Sequence, residues 1–110
     1  MPFAATHLIQ PPTREAVDQL KGPAVLEFGT PWCGHCQRAQ PLIEQALKDQ
    51  AGVQHIKVED GPGRPLGRSY RVKLWPTLVF LRDGQEAARL VRPQDLQDIH
   101  AALRTITAQA

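Results

Sequence analysis

The sequence has little cysteine, no large excess of either charge and no long hydrophobic run. Its 110 residues include 2 Cys, too few for the disulfide scaffold of a small secreted domain. The 13 Lys and Arg against 11 Asp and Glu leave a formal net charge of +2, and like charges do not gather on one segment. A nucleic-acid or membrane-surface role therefore has little support. No apolar run approaches the roughly 18 residues of a membrane-spanning helix, so no span is predicted.

The composition is that of an ordinary folded domain. The chain is 42% hydrophobic and 22% charged, and its length allows one core, so we predict a single domain over residues 1–110. The first residues, Met1 to His7, lack the basic patch and the apolar stretch of a secretory signal. We therefore expect a cytoplasmic protein, although a trimmed secretory precursor would look the same.

The spacing of apolar residues changes several times along the chain. Short, nearly continuous apolar runs are typical of strands covered on both faces, and steps of three and four indicate a helix with one apolar face. In chain order we predict a helix capped by Thr13, a strand at Ala24–Phe28, a helix from the cysteines with Pro41 inside it, a strand at Val53–Val58, a loop at Gly61–Gly67, a strand at Thr77–Leu81, an Asp83-Gly84 hairpin leading to a strand at Glu86–Val91, and a helix opened by Pro93. This order predicts an α/β sandwich around a mixed sheet.

The two cysteines, Cys33 and Cys36, are separated by two residues. A bridge that closes so short a loop adds little chain-entropy stabilisation, so a purely structural disulfide is poorly motivated. The pair follows a buried strand and stands at the first turn of a helix, where unpaired amides and the helix dipole stabilise a thiolate. We expect Cys33 to face solvent as the nucleophile and Cys36 to be shielded as the resolving thiol.

The stretch from Glu27 to Cys36, which ends in Pro-Trp-Cys-Gly-His-Cys, resembles the active site of the thioredoxin superfamily, and in particular the catalytic domains of protein disulfide isomerase. The resemblance extends from about Ala24 to Leu103 and includes Trp75-Pro76-Thr77, where the family carries a cis-proline. It implies a thioredoxin fold, with a central mixed sheet of four to five strands flanked by helices on both faces. It also implies a thiol–disulfide oxidoreductase in which Cys33 attacks a substrate disulfide and Cys36 resolves the mixed disulfide.

Glu27 is an acid inside the first apolar run. An ionised carboxylate is costly to bury, so we predict that burial raises its pKa and keeps it largely protonated. A strand-end glutamate that reaches water is the alternative. The resemblance implies that Glu27 is the buried acid beneath the second cysteine and that Lys57 is the lysine that accompanies it. Together they would move a proton on and off Cys36 through a water.

Residues around the cysteines complete the predicted site. Trp32, beside a redox thiol, is expected to form an apolar rim. Trp75, Pro76 and Thr77 are expected to contact the substrate. Gly34 and His35 are expected to tune the redox couple. An imidazole donor or charge near the Cys33 sulfur would stabilise the thiolate and make the disulfide a better oxidant.

Three positions depart from the thioredoxin pattern. Gly29 stands where thioredoxins have a large aromatic residue, and Trp75 where they have a small aliphatic one. The loop from Leu90 to Gln94 lacks the glycine that lines the thioredoxin groove. Arg92 lies near the place of an arginine that modulates the isomerase cysteines, and a solvated surface role for it is equally compatible with the sequence. These differences affect substrate choice more than the core chemistry.

The same residues define the expected cofactors and partners. We expect no cofactor beyond a redox-active Cys33–Cys36 disulfide, and no metal, because the chain has no second cysteine pair and its four histidines are scattered. The expected partners are protein disulfide or dithiol substrates and a reductase or oxidase that resets the cysteines, with no nucleic acid and no membrane, acting on a monomer. Two other functions stay open. One is a non-catalytic thioredoxin-fold module that binds a partner through Trp32, Trp75 and the Pro76 edge, and the other is a metal carrier that uses both thiolates with His35.

Overall fold

The computed structural model of the protein describes residues 3–107, which form four helices and four strands. In chain order these are α1 (Arg14–Asp18), β1 (Pro23–Gly29), α2 (Gly34–Leu47), β2 (Gln54–Glu59), α3 (Pro65–Ser69), β3 (Thr77–Arg82), β4 (Gln85–Val91) and α4 (Leu96–Thr107). Each strand predicted from an apolar run is present within one or two residues of its expected bounds. Within residues 3–107, no helix is long and apolar enough to cross a membrane.

The strands form one mixed sheet in the order β2-β1-β3-β4. The central strand β1 pairs in parallel with β2, where Glu27 lies beside Lys57, and antiparallel with β3, where Phe28 lies beside Thr77. The hairpin partner β4 extends the sheet antiparallel to β3. Because β1 is an inner strand, the loop at its carboxyl end places the cysteines near the middle of the sheet and not beside an outer strand.

Side-chain alternation along the strands produces one apolar core on each face of the sheet. On one face, the buried residues of α2 and α4 pack against Val25, Leu78 and Phe80. On the other, Val17 of α1 and Leu66 of α3 pack with alternate strand residues, which are Ala24, Leu26, Phe28, Ile56, Val58, Val79 and Leu81. Each large apolar side chain that is fully buried this way contributes about 1.5–3 kcal/mol of transfer free energy. The predicted thioredoxin fold, with helices on both faces of a mixed sheet, is confirmed.

Local signals in the sequence account for several element ends. The Thr13 hydroxyl accepts a hydrogen bond from the Ala16 amide at 3.1 Å and begins α1, as predicted. The hairpin turn has positive φ at both Asp83 (51°) and Gly84 (79°), the signature of a tight two-residue connection. A Cβ at Gly84 would also collide with the backbone carbonyl of Asp18, so this turn requires glycine.

The last helix starts later than predicted. We expected Pro93 to open it, but α4 begins at Leu96. The Asp95 carboxylate accepts a hydrogen bond from the Gln97 amide at 2.9 Å, and this aspartate satisfies a free amide at the helix start. The expected apolar face is present, since Ile99, Leu103 and Ile106 are buried.

Candidate active site

The loop between β1 and α2 places the two cysteines at the start of α2. Cys33 is the N-cap residue of this helix, with extended backbone angles, and its Sγ accepts a hydrogen bond from the Cys36 amide at 3.2 Å. This sulfur therefore satisfies one of the unpaired amides of the first helical turn. The same contact stabilises negative charge on the Cys33 sulfur more than it stabilises the neutral thiol.

Both thiols are buried, Cys36 as expected and Cys33 against expectation. We expected Cys33 to face solvent, but 8% of its surface is exposed, against 4% for Cys36. Both cysteines are in the free thiol form. Burial and the hydrogen-bonded Cys33 thiol raise the pKa of Cys36 to about 12. The asymmetry between the two thiols therefore comes mainly from the protonation of Cys36 rather than from exposure of Cys33.

Gly29, at the end of β1, leaves space for the second thiol. A Cβ at this position would lie 2.5 Å from the Cys36 Sγ and 4.0 Å from the Trp75 Cβ. The aromatic side chain that thioredoxins have here would therefore require the Cys36 sulfur to move. The glycine at position 29 is thus required by the present position of the Cys36 sulfur.

Glu27 is buried and ionised, which corrects the prediction of a raised pKa. The glutamate is 1% exposed, and burial alone would raise the pKa of its carboxyl group. Hydrogen bonds and nearby charge outweigh that effect and hold the pKa below its ordinary value, with the largest contribution from His55. The His55 Nε2 lies 2.9 Å from the Glu27 Oε1, and the Gln40 Nε2 donates to the Glu27 Oε2 at 2.7 Å. Neither partner was singled out from the sequence.

Lys57 reaches Glu27 through an intermediate side chain. Its Nζ donates to the Gln40 Oε1 at 2.7 Å and to the Ala5 carbonyl at 3.1 Å. The Gln40 amide then donates to Glu27 and to the Cys36 carbonyl, the latter at 3.2 Å. The predicted acid and lysine therefore belong to one buried network, and Gln40 joins that network to the helix that carries Cys36.

The loop before β3 faces the cysteines and contains a cis peptide bond between Trp75 and Pro76, as expected. Arg92, which has a positive φ of 51°, holds this loop at two points. Its amide donates to the Pro76 carbonyl and its Nε donates to the Trp75 carbonyl, both at 2.8 Å. Arg92 follows β4 and binds the cis-proline loop from there, so it is not a solvated surface residue.

Thr77 has a different role from the one expected. Its residue is 1% exposed, and its hydroxyl donates to the Leu74 carbonyl at 2.6 Å. The side chain therefore stabilises the cis-proline loop from inside and presents almost no surface to a substrate.

Two tryptophans form an apolar surface beside the cysteines. Trp32 is 71% exposed, and its ring meets that of Trp75 edge to face, with centroids 5.7 Å apart. The Trp75 indole is itself fixed, because its Nε1 donates to the Asp60 Oδ2 at 2.9 Å. Asp60 packs so closely on Gly67 that a Cβ there would collide with its carboxylate. Trp32 is therefore exposed beside Cys33, with Trp75 as its oriented partner.

His35 pairs with an arginine. The Arg38 Nη2 lies 2.8 Å from the His35 Nδ1. Since a guanidinium only donates, Nδ1 accepts and the ring proton is on Nε2. The positive charge of Arg92, with lesser contributions from desolvation and Arg38, lowers the pKa of His35. Of the two expected forms, a hydrogen-bond donor or a positive charge, the lowered pKa favours the neutral donor. Gly34 is the first residue of α2 and is exposed.

A cleft of about 570 Å³ opens beside the second cysteine and is lined by Cys36, Thr30, Gln40, Lys57 and the segment from Ala5 to Ile9. It gives solvent a route to the edge of the buried network. Across residues 3–107, no cluster of three or more His, Cys, Asp or Glu side chains has a geometry that could hold a metal ion.

Comparisons with known proteins agree with this geometry. The family model described as Thioredoxin matches residues 7–105. The structure of reduced thioredoxin 2 from Pseudomonas aeruginosa PAO1 is similar at a TM-score of 0.83 and 53% sequence identity, over 94% of this chain and 96% of that one. Thioredoxin H-type 1 from Nicotiana tabacum is 33% identical in an alignment of 89 positions that covers 76% of this chain and 71% of that protein. Protein disulfide-isomerase A2 from Pongo abelii is 43% identical in an alignment of 67 positions that covers 56% of this chain and 13% of that protein. The chain therefore belongs to the thioredoxin family and is a thiol–disulfide oxidoreductase.

Proposed function

We propose that Cys33 is the nucleophile and Cys36 the resolving thiol in disulfide exchange with protein substrates. The Cys33 thiolate attacks one sulfur of a substrate disulfide, forms a mixed disulfide and releases the other sulfur as a thiolate. Cys36 then attacks the Cys33 sulfur, which forms the Cys33–Cys36 disulfide and releases the second substrate thiolate. The substrate gains two electrons and the cysteine pair loses two. The observation that carries this proposal is the Cys36 amide directed at the Cys33 sulfur from the start of α2.

The second step requires a base, because burial raises the pKa of Cys36 and keeps this thiol protonated. Glu27 fits this role, since its carboxylate is ionised inside the network that Gln40 extends to α2. In this proposal the Cys36 proton passes to Glu27 as Cys36 attacks, and it later leaves through the adjoining cleft. Lys57 stabilises the network through Gln40 rather than by direct contact with the acid.

Substrate contact falls to the surface around Cys33. Trp32 offers exposed apolar area, Trp75 is held in place by Asp60, and the Pro76 loop is held by Arg92. A protein segment that carries a disulfide would lie against this surface with its sulfur beside Cys33. The proposal also includes a cytoplasmic monomer whose Cys33–Cys36 disulfide is reset by a partner reductase or oxidase.

Alkylation of the reduced protein tests the two roles. We expect iodoacetamide at neutral pH to modify Cys33 first, because only thiolates react and the high pKa of Cys36 keeps that thiol protonated. Peptide mapping by mass spectrometry after short reaction times measures the order. Faster modification of Cys36 would reverse the assignment of nucleophile and resolving thiol.

The sequence Cys-Gly-His-Cys is proposed to give an isomerase-type redox couple, with His35 acting as a neutral hydrogen-bond donor. His35→Pro removes the Nε2 donor and the pairing with Arg38. We expect the reduction potential to fall by about 30 mV or more, which is a tenfold change in the equilibrium constant. Equilibration of both proteins in glutathione buffers measures it. His100→Ala on α4 is the matched control, and equal potentials for wild type and His35→Pro would remove His35 from redox tuning.

A further inference from the structure

The buried acid has a histidine partner on the neighbouring strand. His55 and Lys57 are two residues apart on β2, so both point to the sheet face that also carries Glu27. The His55 and Glu27 side chains are 0% and 2% exposed, and the Phe3 ring lies against the imidazole with centroids 5.4 Å apart. Solvent therefore cannot replace this contact if either side chain is changed.

The chain near the N-terminus decides which ring nitrogen carries the proton. The Ala4 amide donates to the His55 Nδ1 at 2.7 Å. A backbone amide can only donate, so Nδ1 accepts and the proton of the neutral ring is on Nε2. That N–H points at the Glu27 Oε1, 2.9 Å away. The Ala4 amide thus fixes the His55 tautomer in which Nε2–H donates to Glu27.

The other carboxylate oxygen is fixed in the same way. Lys57 donates to the Gln40 Oε1, so the amide group of Gln40 must turn its N–H toward the Glu27 Oε2. Each oxygen of the Glu27 carboxylate therefore accepts one hydrogen bond. In both bonds the partner's other contact fixes it as the donor. Both bonds favour the ionised carboxylate, which is the form that can accept a proton.

We propose that His55 is a positioning residue for the second step of disulfide exchange, and that the Ala4 amide fixes its tautomer so that its Nε2–H donates to Glu27 and holds the carboxylate that accepts the Cys36 proton. This inference rests on the proposed role of Glu27 as the base for Cys36. It assigns a chemical function to the segment before α1, whose Ala4 amide and Ala5 carbonyl both bind the buried network. His55 itself exchanges no proton with the substrate sulfur.

The test replaces the donor but keeps the ring. In His55→Phe, the Glu27 Oε1 loses its donor while burial remains, so protonation of Glu27 shifts to higher pH. On the acid limb of the pH profile, we expect the resolution of a mixed disulfide to be about tenfold slower. Formation of the mixed disulfide by Cys33 stays within about twofold of wild type, because that step does not use Glu27. Rapid mixing with a model disulfide measures both steps.

Two further variants separate a positioning role from a purely structural one. His55→Gln retains an acceptor and a donor at similar positions and is expected to recover the wild-type pH profile. Ala4→Pro replaces the amide hydrogen with the proline ring, so the bond to the His55 Nδ1 is lost, and it is expected to shift the profile in the same direction as His55→Phe. If His55→Phe does not fold, this backbone variant still tests the proposal, and an unchanged profile in Ala4→Pro would then overturn it.

The other titratable groups that face Glu27 are Lys57 on β2, Cys36 on α2 and His7 in the segment before α1. Burial, together with the charge of Lys57, lowers the pKa of His7. Glu27 accepts its hydrogen bonds from His55 and Gln40 and not from His7. His7→Phe is therefore the matched control, and it is expected to leave the pH profile unchanged.

A direct titration of Glu27 keeps this inference distinct from the proposed mechanism. Carboxyl carbon NMR of labelled protein follows ionisation of Glu27 whether or not the enzyme turns over. An upward shift of the Glu27 midpoint in His55→Phe, with no effect on the resolution rate, would mean that Glu27 is not the base for Cys36. No shift of the midpoint would overturn the role of His55 even if the mechanism is right.

Discussion

Replacing Cys33 with serine will reduce the rate of insulin disulfide reduction by dithiothreitol to that of the uncatalysed reaction. A serine hydroxyl at the N-cap still accepts the Cys36 amide, so the helix start is preserved while the sulfur nucleophile is lost. The remaining Cys36 cannot substitute, because burial raises its pKa and keeps it a thiol at neutral pH. Turbidity of precipitating insulin measures the rate, and thermal unfolding checks that the variant remains folded.

Cys36→Ser is the companion variant, and it separates the two chemical steps. The Cys33 thiolate is still present, so a mixed disulfide with a substrate forms but is not resolved within the protein. We expect a covalent adduct that survives non-reducing electrophoresis and disappears with excess thiol.

Catalysis by Cys33→Ser equal to that of wild type would show that disulfide exchange does not proceed through this pair. A non-catalytic binding module or a metal carrier would leave insulin reduction at background in the wild type as well.

The local part of the site could be predicted from the sequence. Cys33 and Cys36 follow an apolar run and precede a helical pattern, so their place at the start of α2 depends only on neighbouring residues. The cis bond before Pro76 was expected from the resemblance and lies where it was placed. The Asp83-Gly84 turn also follows directly from two residues that adopt positive φ readily.

The network around Glu27 could not be predicted, because it depends on strand pairing. An acid in an apolar run indicates burial, and burial alone raises a carboxyl pKa. The opposite shift follows from His55, 28 residues away, and from Gln40 on the helix above. One signal was available in the sequence. His55 has the same parity along its strand as Lys57, so both side chains must face the same layer as the acid.

Around His35, too, only the contact that is close in sequence could be predicted. Its neighbour Arg38 is one helical turn away and could be anticipated from spacing, whereas Arg92 lies in the loop after β4. The sequence therefore could not show that a second guanidinium would lower the pKa of His35. The Arg92 amide binds the Pro76 carbonyl and the Arg92 side chain binds the Trp75 carbonyl, so one residue fixes the substrate-side loop and also lowers the pKa of His35.

Glu27→Ala is expected to lower the free energy of unfolding at neutral pH by about 3–5 kcal/mol, the usual cost of removing one partner from a buried ionic network. Alanine leaves the N–H donors of His55 and Gln40 buried without their acceptor, in addition to a cavity. Urea unfolding followed by tryptophan fluorescence measures the difference. The two tryptophans lie beside the cysteines, so the signal also reports on the site.

The pH dependence of the stability difference between wild type and Glu27→Ala shows whether the ionised carboxylate causes it. Burial tends to raise the pKa of Glu27, but His55 and the other donors lower it overall, so the ionised form stabilises the folded state. This contribution is complete above the ordinary carboxyl pKa and is lost as pH falls through the lower pKa of the folded protein. The gap between wild type and Glu27→Ala should therefore shrink on acidification. Glu59→Ala on the neighbouring strand β2 removes a partly exposed carboxylate 3.7 Å from Arg64, and should cost less than about 1 kcal/mol. A gap for Glu27→Ala that matches this control, or that widens in acid, would mean that Glu27 is not held ionised in the folded protein.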